Sequence, residues 1–415
     1  MRFDSNHRIA PACSGEISDI ARRLRLGQLT RREAMRLLGG AGLAGAGMVT
    51  LTGRADAQDA GTPPPAVTPQ IGPRADGSVV WRVKVADMRM DQTPIVELHA
   101  FFPGEITIAE GDAVWFDFGL GGFHTASFLS GGEVPPIFVP DPEPGTPEAR
   151  TGGGTPAAAG APPLILKPDV VFPQGCYTYS GSGYVSSGID IFRDPAQPYV
   201  LTFTKAGTYD YQCDVHGEVM KAKIVVQPTG GAALKTQAEY DAASRDATAK
   251  LYAQADAEVA EYKEAKQSPN ADGTTTWEAT VGAGGKSQVQ IQAFFPAELE
   301  VKVGDTVRWT HRAPGEPHTV SFIGAGEIPP EDPVGQFADG RPKFGQSPLT
   351  LLPQGGNVWH GKGWVSSGFI GNPEAGQATE FALTFDTPGE YGYFCFLHGD
   401  SKGKGMAAKL KVAPK

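Results

Sequence analysis

Two short segments of this chain each combine a cysteine, a histidine and a methionine, side chains that bind soft and borderline transition metals. In each segment two residues separate the cysteine from the histidine, and the methionine follows. A further histidine lies far upstream of each segment. The two sets are His124, Cys213, His216 and Met220, and His318, Cys395, His398 and Met406. A thiolate, two imidazoles and a thioether form the ligand set of a type 1 copper site, because soft sulfur stabilises Cu(I) and imidazole binds both oxidation states. The sequence therefore predicts two copper ions per chain.

Each of these residues has a simpler interpretation when it is taken alone. A cysteine in a β-sheet core is often only a small buried hydrophobic side chain, and a histidine on a loop is often a solvated surface group. Four residue types in one order, repeated in a second copy, favour the metal sites. The copies differ in one respect: three residues lie between His216 and Met220, and seven lie between His398 and Met406. We therefore expect the two sites to differ in their axial bond and reduction potential.

The two sets belong to a duplicated chain, as self-similarity at a nearly fixed offset indicates. Apolar and polar residues alternate within the repeated segments, and turns rich in Gly and Pro separate them. This pattern predicts an all-β chain with two Greek-key β-sandwich domains. The matched segments are Ala100–Pro103 with Ala293–Pro296, Gly111–Val114 with Gly304–Val307, His124–Phe128 with His318–Phe322, Val185–Gly188 with Val365–Gly368, and Tyr209–Cys213 with Tyr391–Cys395.

The predicted domains occupy residues 77–228 and 273–415. The segment between them, 229–272, contains a run from Thr236 to Gln267 that has no Gly or Pro and spaces its apolar residues as a helix does. We expect an α-helical linker there, and its weak apolar stripe leaves open whether the helix separates the domains or lies across both. Two other segments are expected to be flexible or loosely held, namely 58–76 and an insertion at about 141–163 that is rich in Pro, Gly, Thr and Ala.

Residues 1–57 have the order of an export signal. Arg31 and Arg32 precede the apolar, glycine-rich stretch Leu37–Leu51, and Ala55-Asp56-Ala57 offers small residues at the positions that a signal peptidase reads. Paired arginines before a weakly hydrophobic stretch resemble a twin-arginine signal. An N-terminal membrane anchor is the alternative, although the stretch is short for a membrane span. We expect the mature chain to have no membrane span and to act in the periplasm or on the extracellular face of the cell membrane.

The sequence around both cysteines resembles the plastocyanin, pseudoazurin and halocyanin group of cupredoxins. The pattern Tyr-x-Tyr-x-Cys-x-x-His, with a later Met and a basic β-branched strand (Lys221–Val226), is typical of that group, as is the upstream His-Thr-x-Ser-Phe. The resemblance covers about Val79–Gln227 and Thr275–Val412. It implies two cupredoxin domains whose type 1 copper ligands are the two sets given above, and it implies a role in electron transfer.

Charge and ligand type separate three candidate functions. A formal net charge of −10 disfavours nucleic acid, whose phosphates require Lys and Arg, and suits a redox protein partner with a basic surface. Copper enzymes such as nitrite reductases and small laccases need a second kind of copper site, with one of its histidines next to the type 1 cysteine. The neighbouring residues here are Gln212, Asp214, Phe394 and Phe396, and the chain has only 8 His. We therefore expect an electron carrier and not an enzyme, with a copper oxidase or nitrite reductase-like enzyme and a copper carrier as the alternatives.

Four other residues that could do chemistry have no counterpart in the opposite half. Cys176 stands where the second half has Gly356, and we expect a buried thiol, with pairing between molecules as the alternative. His360 is expected to lie in a surface loop or to form a contact near the metal. His99 and His311 also lack a copy and are assigned no role.

Overall fold

The computed structural model describes residues 68–119, 122–141, 164–193, 197–284, 288–313, 315–324, 334–337, 342–346, 351–371, 373 and 376–415. These residues form mostly β-strands, as the sequence predicts. The predicted export signal (1–57), residues 58–67 and nearly all of the insertion at 141–163 lie outside this range.

The described strands and helices are numbered here in chain order. Strands before the long helix are β1 Gly72–Pro73, β2 Val79–Arg89, β3 Ile95–Phe102, β4 Glu105–Ala109, β5 Ala113–Asp117, β6 Ser127–Phe128, β7 Phe138–Pro140, β8 Leu164–Leu166, β9 Thr178–Tyr179, β10 Val185–Ser186, β11 Tyr199–Phe203, β12 Gly207–Gln212 and β13 Lys221–Gln227. The helices are α1 Pro168–Val171 and α2 Gln237–Glu261, with 3-10 turns at Asp190–Phe192 and Gly217–Val219. Strands after the long helix are β14 Lys266–Pro269, β15 Thr275–Ala283, β16 Val289–Phe295, β17 Glu298–Lys302, β18 Thr306–His311, β19 Ser321–Ile323, β20 Val334–Gln336, β21 Pro342–Gln346, β22 Val358–Trp359, β23 Trp364–Ser366, β24 Glu380–Phe385, β25 Gly389–Gly399 and β26 Gly405–Ala413.

Alternation along the strands determines which side chains enter the core. In β2 the side chains of Trp81, Val83 and Val85 are buried, while Arg82 and Lys84 between them are only partly buried. Successive side chains of a strand point to opposite faces, so one face of β2 joins the main hydrophobic cluster of the first half.

A buried aspartate closes the same turn in each half. Asp112 accepts hydrogen bonds from Trp81 Nε1 at 2.8 Å, from the Val79 amide at 2.7 Å and from the Ala109 amide at 3.0 Å. Its counterpart Asp305 accepts from Thr275, Trp277 and Lys302 in the same way. The repeated Gly-Asp turn therefore ties the start of the first long strand of each half to a neighbouring turn.

Each half places two sheets around its own hydrophobic cluster. A five-stranded sheet has the order β10-β6-β12-β13-β4 in the first half, and its counterpart has the order β17-β26-β25-β19-β23. The opposing strands of both halves belong to a single larger sheet, whose central path is β22-β24-β18-β15-β16-β3-β2-β5-β11-β9. A smaller sheet also crosses between the halves, because β21 pairs with β8.

The halves meet edge to edge, through antiparallel pairing of β3 with β16. In this ladder Val96 lies opposite Ile291, Glu97 lies opposite Gln290, and Leu98 lies opposite Val289. The two halves are therefore joined by backbone hydrogen bonds in one continuous sheet.

The helix α2 lies across this junction. Thr236 and Glu239 form a capping box at its start, a motif that satisfies the free amides of the first turn. Ala255 is fully buried and packs with apolar residues of β3 and β16, together with Leu251, Tyr252, Val259 and Tyr262 of the helical segment. Of the two arrangements that the sequence left open, the structure has the helix lying across both halves.

The helix is shorter than the run Thr236–Gln267, because the segment after Glu261 pairs with a strand instead. Lys266–Pro269 forms β14 and runs antiparallel to β15, with Ser268 opposite Thr276. At the start of the first half, Gly72 and Pro73 of the segment 58–76 pair with β2.

Within the described residues, no helix is long and apolar enough to cross a membrane.

Replacing the buried carboxylate of Asp112 should destabilise the first half markedly. The substitution Asp112→Ala leaves the indole N–H of Trp81 and two backbone amides without their acceptor, and we expect the free energy of unfolding to fall by about 3 kcal/mol. Denaturant unfolding monitored by tryptophan fluorescence measures the change. Asp210→Ala, at an exposed position of β12, is the matched control and should change the free energy by less than about 0.5 kcal/mol. Equal effects of the two substitutions would contradict this account of the turn.

Candidate metal centres

The first centre forms where a hairpin loop approaches the start of a neighbouring strand. Cys213 follows β12, and His216 and Met220 lie in the loop that leads into β13. The amide of Cys213 donates to the carbonyl of Met220 at 3.0 Å, and the amide of Gly217 donates to the carbonyl of Cys213 at 2.8 Å. His124 lies just before β6, which pairs with the end of β12. The fold thus brings all four predicted residues to one end of the sandwich.

The donor atoms of the first centre converge at distances that suit a metal ion. His124 Nδ1 lies 3.2 Å from His216 Nδ1, and Cys213 Sγ lies 3.4 Å from His216 Nδ1. Bonds of about 2.0 Å to nitrogen and about 2.3 Å to sulfur, in a tetrahedral arrangement, separate such atoms by about 3.3–3.6 Å. All three side chains are buried, as is Met220. The arrangement therefore fits a first-row transition metal bound by two imidazoles and a thiolate.

The second centre repeats this geometry. His318 Nδ1 lies 3.1 Å from His398 Nδ1, and Cys395 Sγ lies 3.7 Å and 3.5 Å from those two nitrogens. His318 and Cys395 are fully buried, and the side chain of His398 is 11% exposed. Both halves therefore contain a His-Cys-His group whose donor atoms point at one another.

The longer loop of the second half does not displace its methionine. In the first hairpin Gln212 lies opposite Lys221, one residue before the cysteine and one after the methionine. In the second hairpin Phe394, one residue before Cys395, lies opposite Ala407, one residue after Met406. The additional residues form an extension beyond His398, where the Asp400 carboxylate accepts from two amides of the turn at 2.9 Å. Met406 is buried and has the same place in the register as Met220.

A hydroxyl network supports each cysteine. The amide of Thr125 donates to Cys213 Sγ at 3.3 Å, and that of Thr319 donates to Cys395 Sγ at 3.4 Å. Both threonine hydroxyls accept from the residue after the cysteine, at 2.8 Å. From each threonine hydroxyl the network continues through Ser127 to Ser186 in the first half and through Ser321 to Ser366 in the second. The next serine of each repeated Val-Ser-Ser-Gly segment, Ser187 or Ser367, accepts from the backbone amide of Ala126 or Val320. The sequence marks that segment only as a repeat, whereas the structure gives it a positioning role.

In three of the histidines predicted as ligands, a polar group near the junction between the halves contacts the ring nitrogen that points away from the centre. His124 Nε2 lies 2.7 Å from Glu97 Oε1, and His398 Nε2 lies 2.7 Å from Glu316 Oε1. His318 Nε2 lies 2.8 Å from the amide of Gln290. The ring of His216 instead stacks on His99, with centroids 3.8 Å apart. A carboxylate in this position fixes the orientation of an imidazole and raises its basicity.

These contacts change the pKa values of the histidines in opposite directions. Burial alone would lower the pKa of His124, but hydrogen bonds to Cys213 and Glu97 outweigh it and raise the pKa to about 10. Burial and the charge on His398 hold the pKa of His318 well below its usual value. The pKa of His398 is raised well above its usual value, because the negative charges of Glu316 and Cys395 outweigh its burial.

Sequence reasoning missed Glu97 and Glu316 and left His99 without a role. A signal was present before the repeated Ala-Phe-Phe-Pro segment, where the first half has Glu97 and His99 and the second has Gln290 and Gln292. Only the fold shows that Glu97 lies beside His124 and that His99 lies beside His216.

Two residues that the sequence left unassigned lie at the surface. Cys176 is exposed rather than buried as expected, because it lies in the turn that follows Gly175 and precedes β9. His360 is also exposed, and its Nδ1 lies 2.6 Å from the carboxylate of Asp386.

Comparison with known proteins supports a cupredoxin-like fold. No protein-family model matches the chain. The chloroplast plastocyanin of Tetradesmus obliquus is 31% identical over 119 residues, which are 29% of this chain and 57% of the plastocyanin. The chain thus spans little more than half the length of that relative.

Solved structures with some similarity include an oxidised plastocyanin and an amicyanin. The plastocyanin, from Dryopteris crassirhizoma, is 19% identical, and the match covers 33% of this chain and 99% of that one with a TM-score of 0.19. A Cu(I) form of an amicyanin mutant is 24% identical, with coverages of 28% and 70% and a TM-score of 0.16.

Copper binding at the first centre should strengthen as the pH rises. In the metal-free protein His124 has a pKa of about 10, so at pH 7 a metal must displace its proton. We expect the affinity for Cu(II) to increase at least about tenfold per pH unit between pH 7 and pH 9, because the proton competes less as the pH approaches 10. Chelator competition in the Cys395→Ser variant, where the second centre lacks its thiolate, measures the first centre alone. An affinity that is constant over this range would contradict the protonated state of His124.

Proposed function

We propose that this chain is an exported electron-transfer protein that carries two type 1 copper ions. The observation that carries the proposal is the matched pair of His-Cys-His groups, with Nδ1 to Nδ1 distances of 3.2 Å and 3.1 Å. A buried methionine has the same register position in each hairpin. The donor set suits copper, since sulfur stabilises Cu(I) and imidazole binds both oxidation states.

The residues of the chain provide a rigid and dry site for this chemistry. Copper, when bound, supplies the one-electron couple. The amides of Thr125 and Thr319 donate to the two cysteine sulfurs, and the outer partners hold His124, His318 and His398 in place. Because the donor atoms already lie within bonding range of one point, little rearrangement accompanies a change of oxidation state.

The residues that follow the two cysteines in sequence support electron transfer over an enzyme with a second copper site. Asp214 Oδ2 accepts hydrogen bonds from Ser127 and Tyr184, each at 2.6 Å. Phe396 packs edge-on against Trp364. Neither Asp214 nor Phe396 has an imidazole that could bind a second copper beside the proposed type 1 site.

The N-terminal segment and the charge support an exported protein with a protein partner. The order of Arg31-Arg32, the apolar stretch and Ala55–Ala57 is that of a twin-arginine signal. The acidic balance of the chain, with a formal net charge of −10, favours a redox partner that presents a basic surface.

Removal of one thiolate should remove one blue copper and leave the other. We expect the copper-loaded protein to contain two coppers per chain, with intense visible absorption and the narrow copper hyperfine splitting of type 1 sites. In Cys213→Ser and in Cys395→Ser, about half of the absorption and one copper should remain, because each cysteine serves one centre. Copper analysis and EPR of the three proteins make the measurement, with Cys176→Ser, at the exposed cysteine, as the matched control. A colourless protein, or one copper per chain in the parent, would refute the two-site proposal.

Export should depend on the arginine pair. We expect the double substitution Arg31→Lys, Arg32→Lys to retain the chain inside the cell, because a twin-arginine signal is read at those two residues. Cell fractionation followed by immunoblotting measures the exported share. The control is Arg22→Lys with Arg23→Lys, an adjacent arginine pair outside the signal pattern, which should leave export unchanged. Normal export of the Arg31 and Arg32 variant would show that another route or an anchor operates.

A further inference from the structure

A third group of potential ligands lies between the two centres. Glu97 and His99 are two residues apart on β3 and so share a face, and Glu316 comes from the loop after β18 of the other half. One donor atom from each of the three residues lies within 4.8 Å of the other two. Glu97 is 5% exposed, His99 is 1% exposed, and the side chain of Glu316 is 14% exposed. The group therefore exists only because the two halves are joined.

Each carboxylate of the group uses one oxygen for a ligand histidine and has another directed elsewhere. Glu97 Oε1 contacts His124, and Glu316 Oε1 contacts His398. Glu97 Oε2 accepts from the amide of Gln292 at 3.2 Å and lies 3.7 Å from His99 Nε2, which is too long for a hydrogen bond. Glu316 Oε2 and His99 Nε2 are both buried without a hydrogen-bond partner.

Two features of this group point to a cation. Buried polar atoms without partners are rare in folded proteins, and each needs an explanation. Two carboxylates buried close together also repel one another unless positive charge lies between them. His124 and His398 lie against one oxygen of each carboxylate, and a divalent cation at the other oxygens would also satisfy the unpartnered atoms of His99 and Glu316.

We propose that Glu97 Oε2, His99 Nε2 and Glu316 Oε2 bind a third metal, a divalent cation of borderline character such as Zn²⁺. One imidazole and two carboxylates suit such an ion better than a soft Cu(I), which prefers sulfur. Three protein ligands leave the fourth position of a tetrahedral site for water. Catalytic zinc sites have this arrangement, whereas structural zinc sites have four protein ligands.

A cation at this position would act on both proposed copper centres, and this consequence rests on the proposed function. Its carboxylate ligands also accept hydrogen bonds from His124 and His398. A carboxylate that binds a cation accepts a weaker hydrogen bond. The imidazoles of His124 and His398 then become less basic and bind Cu(II) less strongly. We expect the reduction potentials of both centres to rise when Zn²⁺ binds.

The test is a zinc titration of the copper-loaded full chain, with zinc content measured after dialysis and affinity measured by calorimetry. We expect one zinc per chain in the parent protein. In Glu316→Gln and in His99→Gln the affinity should fall at least tenfold, because each change removes a ligand. His360→Gln is the matched control, since the exposed His360 beside Asp386 is the kind of surface pair that binds zinc weakly, and its loss should leave the affinity unchanged.

Two results would overturn the third site. Absence of zinc binding by the parent would show that the group does not hold a divalent cation. Equal zinc affinity in the parent, Glu316→Gln and His99→Gln would place any bound zinc elsewhere. Because copper-free His-Cys-His centres also offer zinc ligands, the variants and the parent are compared with both copper centres filled, and circular dichroism checks that each variant is folded. A copper-loaded parent without blue absorption before zinc is added would count against the copper centres alone, whereas loss of that absorption during the titration would place the zinc in those centres.

Discussion

The backbone ladder between β3 and β16 is the interaction on which both centres depend. It places Glu97 opposite Gln290, and these two side chains hold the outward nitrogens of His124 and His318. A sandwich that ended at β3 would expose this edge to water, and Glu97 would lose the hydrogen bond that the Gln292 amide of the opposite half donates to it. The side chains that orient His124 and His318 thus lie on a sheet that neither half forms alone.

The two centres are copies in geometry but not in electrostatics. In the first half the upstream histidine, His124, is paired with a carboxylate, and in the second half the loop histidine, His398, has that partner. The remaining two histidines, His216 and His318, contact a neutral amide or another ring, and burial holds the pKa of each well below its usual value. Each centre therefore has one strongly basic and one weakly basic imidazole, at opposite positions of the repeat.

The local pattern of the sequence predicted the strands and most of the helix, and it marked the residues that the structure brings together at each candidate centre. Alternation along β2 and the absence of Gly and Pro in α2 are properties of neighbouring residues, and the Cys-x-x-His spacing fixes two donors on one loop. The sequence could not show which edge strands of the two halves pair with each other. The roles of Glu97 and His99 come from tertiary contacts with His124 and His216, and their place beside Glu316 comes from pairing between strands almost two hundred residues apart. The register that returns Met406 to the level of Cys395 depends on how the longer loop folds. The exposure of Cys176 could not be predicted either, because it depends on the turn in which that residue lies before β9.

The position of α2 in the chain also bears on how the protein is made. During synthesis β3 is complete long before β16 exists, and its apolar residues Val96 and Leu98 then belong to an open edge strand. Such edges pair with other chains and promote aggregation. The helix Gln237–Glu261 is the next long element to emerge, and it packs against β3 through Ala255 and its neighbours. It can therefore cover one face of the β3 edge strand before β16 is synthesised. The nascent first half then exposes less apolar surface.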